Sequence, residues 1–171
     1  YSLAPHGRTA LLVGQNGSGK STLVDALLTL LVQPGVRNYN VAAGAKKRER
    51  DERTYIRGAC GRSSDDELGS VTDYLRPADK HYSVLLACFE RADTGSAFTI
   101  AQVLQLTADG ELDKTYAFCT GERSIAADLS GLQRDQRIAK QLIQRGFQAT
   151  SKYSEYLPWI ARCTHQRPKA M

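Results

Sequence analysis

The chain has 171 residues, 42% of them hydrophobic, and a net charge of +5. That length suits one domain of ordinary size with its own core. No apolar run approaches the ~20 residues that span a bilayer and no signal-peptide pattern is present, so no membrane contact is expected. Cys60, Cys88, Cys119 and Cys163 lie far apart without C-x-x-C pairing. This argues against zinc and a disulfide scaffold and points to a reducing, cytoplasmic setting. His6, His81 and His165 are equally scattered and read as surface or packing residues.

Residues 1–36 are organised around a loop. Thr9-Ala10-Leu11-Leu12-Val13 is a short continuous apolar run, the pattern of a buried strand. Gly14-Gln15-Asn16-Gly17-Ser18-Gly19-Lys20-Ser21-Thr22 follows, with the spacing G-x-x-x-x-G-K-S and an additional glycine at 17. Glycines let the backbone curl so that its N–H groups converge on a polyphosphate. Lys20 has the reach to bind β- and γ-phosphates, and Ser21 carries the hydroxyl that completes Mg²⁺ coordination. Ser21 to Leu31 supplies a helix whose N-terminus faces the anion, ending at Pro34-Gly35. A glycine-rich turn matching by chance does not explain both flanks. ATP and Mg²⁺ are the expected ligands. Residues Gly14 to Thr22 form the cradle, Lys20 and Ser21 are the catalytic candidates, and Ser21 is the metal ligand.

Residues 37–69 read as a basic loop-helix segment. Between Arg37 and Arg62, the eight basic residues Arg37, Lys46, Lys47, Arg48, Arg50, Arg53, Arg57 and Arg62 stand against the three acids Glu49, Asp51 and Glu52, an excess equal to the net charge of the whole chain. Either a phosphate-bearing partner or a solvated charged face accounts for this. Of these, Lys46, Lys47, Arg48, Arg50 and Arg53 are the candidate DNA contacts. The spacing predicts a short helix over about Ala45 to Tyr55, and Ser63-Ser64-Asp65-Asp66-Glu67 reads as an exposed loop.

Residues 70–120 read as an antiparallel meander. Tyr82 to Arg91, Phe98 to Leu106 and Thr115 to Cys119 are strand-like, separated by turns at Asp93-Thr94-Gly95 and Ala108-Asp109-Gly110. On the second strand Phe98, Ile100, Leu104 and Leu106 share a face. A strand ending in Asp-Glu, which would hold Mg²⁺ and polarise water, is missing. Its best substitute is Val84 to Glu90, where Phe89 occupies the place of the metal-binding Asp. The catalytic set is therefore incomplete, and the chain reads as a piece of something longer.

Residues 121–171 read as a helical tail. Ser130-Gly131-Leu132-Gln133 has capping-box spacing before a helix over about Gly131 to Arg145, with Ile138, Leu142 and Ile143 on one side and Gly146 as its stop. A second helix spans about Tyr153 to Cys163, with Tyr156, Leu157, Trp159 and Ile160 as its apolar contacts and Pro158 at its start or at a kink. Leu129 to Arg134 also resembles the ABC signature L-S-G-G-Q. Leu132 replaces a glycine there, and the later acidic strand is absent, so the capping box is the preferred reading.

The stretch Gly14 to Leu27 resembles the loop and first helix of the SMC and Rad-fifty-like branch of ABC ATPases. Arg37 to Asn40, Ala42 to Gly44, Lys47 to Arg50, Tyr55 to Gly58, Thr72 to Arg76 and Thr99 to Gln102 are similar to the MukB-like SMC proteins of bacterial Wadjet (JetC-type) and Mks systems. The resemblance covers most of residues 3–106. It implies an α/β fold, the N-terminal lobe of a P-loop ABC/SMC-type ATPase head, with an antiparallel β-subdomain and C-terminal helices leading toward a coiled coil. It also implies that the signature and acidic strand lie in a distant C-terminal half, and that two heads sandwich ATP as a homodimer. The implied partners are DNA, a kleisin, a winged-helix kite subunit and, in Wadjet systems, a Toprim-type nuclease. The activity implied is ATP hydrolysis coupled to DNA loop extrusion on the nucleoid or on plasmids, with this piece alone inactive. Arg57, in its Tyr-Ile-Arg-Gly context, is expected near the nucleotide or the opposite head. The competing readings are a transporter-type ABC cassette and a nucleotide-dependent DNA-binding module.

Overall fold

The computed structural model describes residues 2–37, 39, 51–65, 69–76, 82–134 and 136–164. Its centre is a four-stranded antiparallel sheet in the order β3-β4-β5-β6: β3 Tyr82–Glu90, β4 Ala97–Leu106, β5 Leu112–Thr120 and β6 Gln148–Thr150. The three predicted meander strands are present. β3 and β4 pair without a bulge from Tyr82↔Gln105 to Glu90↔Ala97, and β4 and β5 from Phe98↔Thr120 to Leu106↔Leu112. Period-2 alternation places two different cores on the two faces of β4.

One face carries Ile100, Tyr116 and Phe118, against Leu30 of helix α1 (Lys20–Leu31) and Tyr156 of helix α4 (Tyr153–Thr164). Further along this face, Leu104 and Leu106 bury Ile56 of the short helix α2 (Glu52–Arg57). The other face carries Ala101, Val103, Ala117 and Cys119 against Leu129, Leu132, Phe147 and helix α3 (Ile138–Gln144), through Ile138 and Leu142. The sheet is thus covered on both sides, and β4 is buried on both faces. Gln102 interrupts the apolar row of the first face; its Nε2 donates to the Leu30 carbonyl at the end of α1 (3.2 Å), fastening that helix to the sheet.

Several expectations are corrected. Thr9 to Val13 forms no strand: these residues pair with no described strand and stand exposed, Leu11 at 87% and Val13 at 76%. The run has the composition of a buried strand, but no described strand lies beside it. The 37–69 segment is not only loop and helix. It contains β1 (Ala59–Asp65), which forms a separate hairpin with β2 (Gly69–Tyr74), so Ser63 to Asp65 are strand and the meander proper begins at Tyr82. The helix expected from Ala45 starts only at Glu52. Asp51 is extended (φ −135°, ψ −177°) and closes a reciprocal capping box with Thr54; residues 45–50 lie outside the described set.

The tail is also not purely helical. Ser130-x-x-Gln133 caps nothing: a π-helical turn over Ile125–Leu129 precedes it, and α3 begins at Ile138. Leu129 and Leu132 both enter the core, and the Gln141 amide takes the Gln133 backbone on both sides, accepting from its N–H (2.9 Å) and donating to its carbonyl (2.7 Å). A helix at this point would have to give up those contacts. Ile143 is exposed rather than grouped with Ile138 and Leu142, while Gly146 ends the helix at φ +86° as expected. β6 then adds a fourth strand that the polar text of 148–150 did not announce. In α4 Pro158 is internal, and Leu157 is exposed while Tyr156 is buried.

Candidate nucleotide-binding site

The loop from Gly14 to Gly19 is a nest built by glycine. Gly17 (φ +83°) and Gly19 (φ +87°) adopt the left-handed backbone that residues with a side chain avoid, and the Ser18 N–H closes a turn on the Gln15 carbonyl (3.2 Å). A Cβ at Gly14 would come within 2.7 Å of the Ser18 hydroxyl, so the loop is as tight as glycine allows there. Gly19 is the N-cap of α1 and offers no side chain to the helix, whose first turn also carries no acid. The first N–H groups of α1 therefore remain free for an external acceptor, and the helix dipole favours an anion at that point.

Lys20 lies across the loop. Its Nζ donates to the carbonyls of Gly14 (2.6 Å) and Gln15 (2.7 Å) and to the Ser18 hydroxyl (3.4 Å). These bonds hold the loop curled and keep the ammonium at its mouth. Ser21 follows on the first turn of α1, half-buried, and Thr22 is exposed beside it, as are Gln15 and Asn16 in the turn. The donor set fits a polyphosphate: the N–H groups that open α1, one flexible cation, one hydroxyl suited to a divalent metal, and no acid in the first turn of the helix. A nucleotide with a divalent metal, if held there, would bring the phosphates and the charge that offsets them.

α2 is fastened at its start to the far end of α1. Its first residue, Glu52, pairs with Arg37, whose Nε caps the Val32 carbonyl at the far end of α1 (2.6 Å). Lys114 of β5 grips the same carboxylate (2.8 Å). One turn later Tyr55 is pushed up in pKa by burial, countered by the charge of Arg76 and reinforced by that of Asp25, which sits midway along α1.

Arg57 closes α2. Its guanidinium centre lies 3.5 Å over the ring of Tyr74 at the end of β2, and its Nε is buried with no hydrogen-bond partner. Two backbone bonds lock this corner: Leu75 N–H to the Gly58 carbonyl (3.1 Å) and Arg76 N–H to the Arg57 carbonyl (3.0 Å). Gly58 makes the turn at φ +67°.

The basic excess read from the sequence is partly consumed by the fold. Arg37 is a buried ion-pair partner and helix cap, and Arg53 pairs with Glu111 (2.7 Å) on the surface. Lys46, Lys47, Arg48 and Arg50 lie outside the described residues. Glu90 is the exposed last residue of β3, an edge strand of an antiparallel sheet, opposite Ala97. The signature-like Leu129 to Arg134 faces the core through Leu129 and Leu132 and does not start a helix, the position from which a signature meets phosphate. No cluster of His, Cys, Asp or Glu suited to a metal occurs among the described residues, and no described helix is long and apolar enough to cross a membrane.

Sequence reasoning passed over Arg37, Glu52, Tyr74 and Gln102 as parts of this region. Gln102 alone carried a local signal, a polar residue at a core position of an alternating strand.

In comparison with known families, the model of the P-loop containing region of AAA domain matches residues 1–46. A comparison with curated proteins returns no match. The family match and the loop geometry agree on the same segment, which supports a P-loop NTPase: a nucleotide-binding region set against a mixed α/β body with an antiparallel sheet.

Proposed function

We propose that this chain is the N-terminal half of the ATPase head of an SMC-like DNA motor of the MukB-like kind, acting in Wadjet-type plasmid restriction or Mks-type condensation. The nucleotide part of the reading is carried by one observation: the glycine nest from Gly14 to Gly19, with Lys20 across it and the uncapped N-terminus of α1 behind it. Lys20 and Ser21 are the phosphate and metal residues, and Arg57 is a further contact to the nucleotide. The motor part rests on the resemblance over residues 3–106. The split-head part is supported by the exposed apolar run Leu11 to Val13 and the exposed stripe Val24, Leu27 and Leu31 on α1. These are surfaces that a C-terminal head half would cover. The remaining partners follow from the same resemblance: a second head, a kleisin, a kite subunit, DNA, and in Wadjet systems a nuclease.

The test is turnover. ATP hydrolysis is measured for the chain alone, with the C-terminal half of the head, and with DNA added. Negligible turnover alone, restored by the second half and raised by DNA, is the expected result. Robust turnover alone would overturn the split head and give Glu90 a catalytic role. Turnover restored but indifferent to DNA would remove the motor reading and leave a nucleotide-binding module.

A further inference from the structure

Among the described residues, Asp25 is the one charged residue that is buried as a whole, at 5% exposure. A carboxylate out of water is costly to keep, and its charge acts strongly on whatever lies beside it. α1 is continuous from Lys20 to Leu31, which sets Asp25 four residues, one helical turn, beyond Ser21. Residues so spaced are neighbours on one helix face, with Cβ atoms about 5–6 Å apart. Helical Cα–Cβ bonds also tilt toward the N-terminus, so the Asp25 side chain leans toward the turn that carries Ser21. Asp25 is the only acid in α1 and stands outside its first turn, so the phosphate end of the helix stays free of acid. Its charge is felt by Tyr55 of α2, whose phenol is raised chiefly by burial, with Arg76 opposing and Asp25 adding to the rise.

We propose that Asp25 is a positioning residue for the divalent metal that accompanies the nucleotide. Its buried carboxylate supplies negative charge one turn beneath the Ser21 hydroxyl, and so favours a metal-bearing triphosphate over a bare one. This rests on the nucleotide-binding reading above, with Ser21 as the metal ligand. Asp25 does not itself ligate the metal; it acts across the helix turn. With a metal on Ser21 and the phosphates at the helix end beyond it, attraction to the metal outweighs repulsion of the phosphates.

The experiment is calorimetric titration of the full chain with ATP, once with excess Mg²⁺ and once with the metal removed by a chelator. The variants are the original sequence, Asp25→Asn, Ser21→Ala and Lys20→Ala. The readout is the ratio of the two affinities, which measures how strongly the bound triphosphate prefers to carry its metal. A unit charge about 6 Å away, at the effective dielectric near a protein surface, shifts the binding of another charge by about a hundredfold before screening. Water and salt reduce this, so Asp25→Asn should lower the ratio about tenfold. MgATP should weaken, while metal-free ATP binds as tightly as to the original or more tightly. A merely structural Asp25 changes both affinities by the same factor, and a ratio within about twofold of the original overturns the proposal. Should Asp25→Asn fail to fold by circular dichroism, Asp25→Ser takes its place, removing the charge with a smaller polar side chain. Two failures are distinct from this one. Unchanged affinity in Lys20→Ala removes the nucleotide reading, and an unchanged ratio in Ser21→Ala removes Ser21 as the metal ligand; either takes the role of Asp25 with it.

Discussion

Glu52→Ala tests the joint that fastens the start of α2 to the end of α1. The carboxylate of Glu52 is shared by Arg37 and Lys114, and the Arg37 side chain is only 4% exposed. Removing Glu52 leaves Arg37 buried with its Nε on the Val32 carbonyl and its Nη2, already without a partner, joined by an unpaired Nη1. Breaking a buried pair from one side costs about 3–5 kcal/mol. Glu52 is 16% exposed and water can reach part of the site, so the lower end, about 3 kcal/mol, applies. For a chain of this size that is a fall of roughly 6–12 °C in melting temperature. Lys114→Met should cost under about 1 kcal/mol, because its more exposed ammonium gives up a pair that water already weakens. Arg37→Met combined with Glu52→Met should cost less than Glu52→Ala alone, since the only cation left without its partner is the more exposed Lys114. The assay is urea unfolding followed by circular dichroism. A Glu52→Ala cost below about 1 kcal/mol would refute the claim that this joint is buried and holds the two helices together.

Two further substitutions probe the packing. Tyr156 is fully buried against Tyr116 and Trp159, and its hydroxyl has no partner, so Tyr156→Phe should leave stability unchanged or raise it by about 1 kcal/mol in thermal unfolding. Burial pushes the Tyr156 phenol well above its usual range, so the folded state keeps the proton that the unfolded state releases near pH 10. Stability should therefore fall as pH rises above about 10, and Tyr156→Phe should lessen that fall. Gly58→Ala places a side chain at φ +67° and 3.4 Å from Leu75, and should cost about 1–2 kcal/mol by urea unfolding, with Arg57 displaced from the Tyr74 ring.

What the sequence revealed about this fold is what local rules control. The phosphate loop needs glycines and a lysine at fixed spacing, and β3 to β5 need only alternation and the turns at Asp93 to Gly95 and Ala108 to Gly110; both were legible. The strand reading of Leu11 to Val13 failed because burial depends on neighbours, and no described strand lies beside it. The β1–β2 hairpin was hidden because Arg62 to Asp65 lacks the apolar alternation that marks a strand, leaving little beyond backbone pairing to signal it. Ser130 to Gln133 has the spacing of a cap, yet burial of Leu129 and Leu132 and the grip of Gln141 on Gln133 outweigh it. At the candidate site, Lys20 was readable from its motif, whereas Tyr74 met Arg57 only through the tertiary turn at Gly58.

The central claim is that Gly14 to Thr22 binds nucleotide, and amide shifts of the labelled chain during MgATP titration test it most directly. The account predicts saturable shifts concentrated on the amides of Gly14 to Thr22, abolished in Lys20→Ala while the rest of the spectrum is preserved. Shifts absent from this loop, or equally strong in Lys20→Ala, would contradict it.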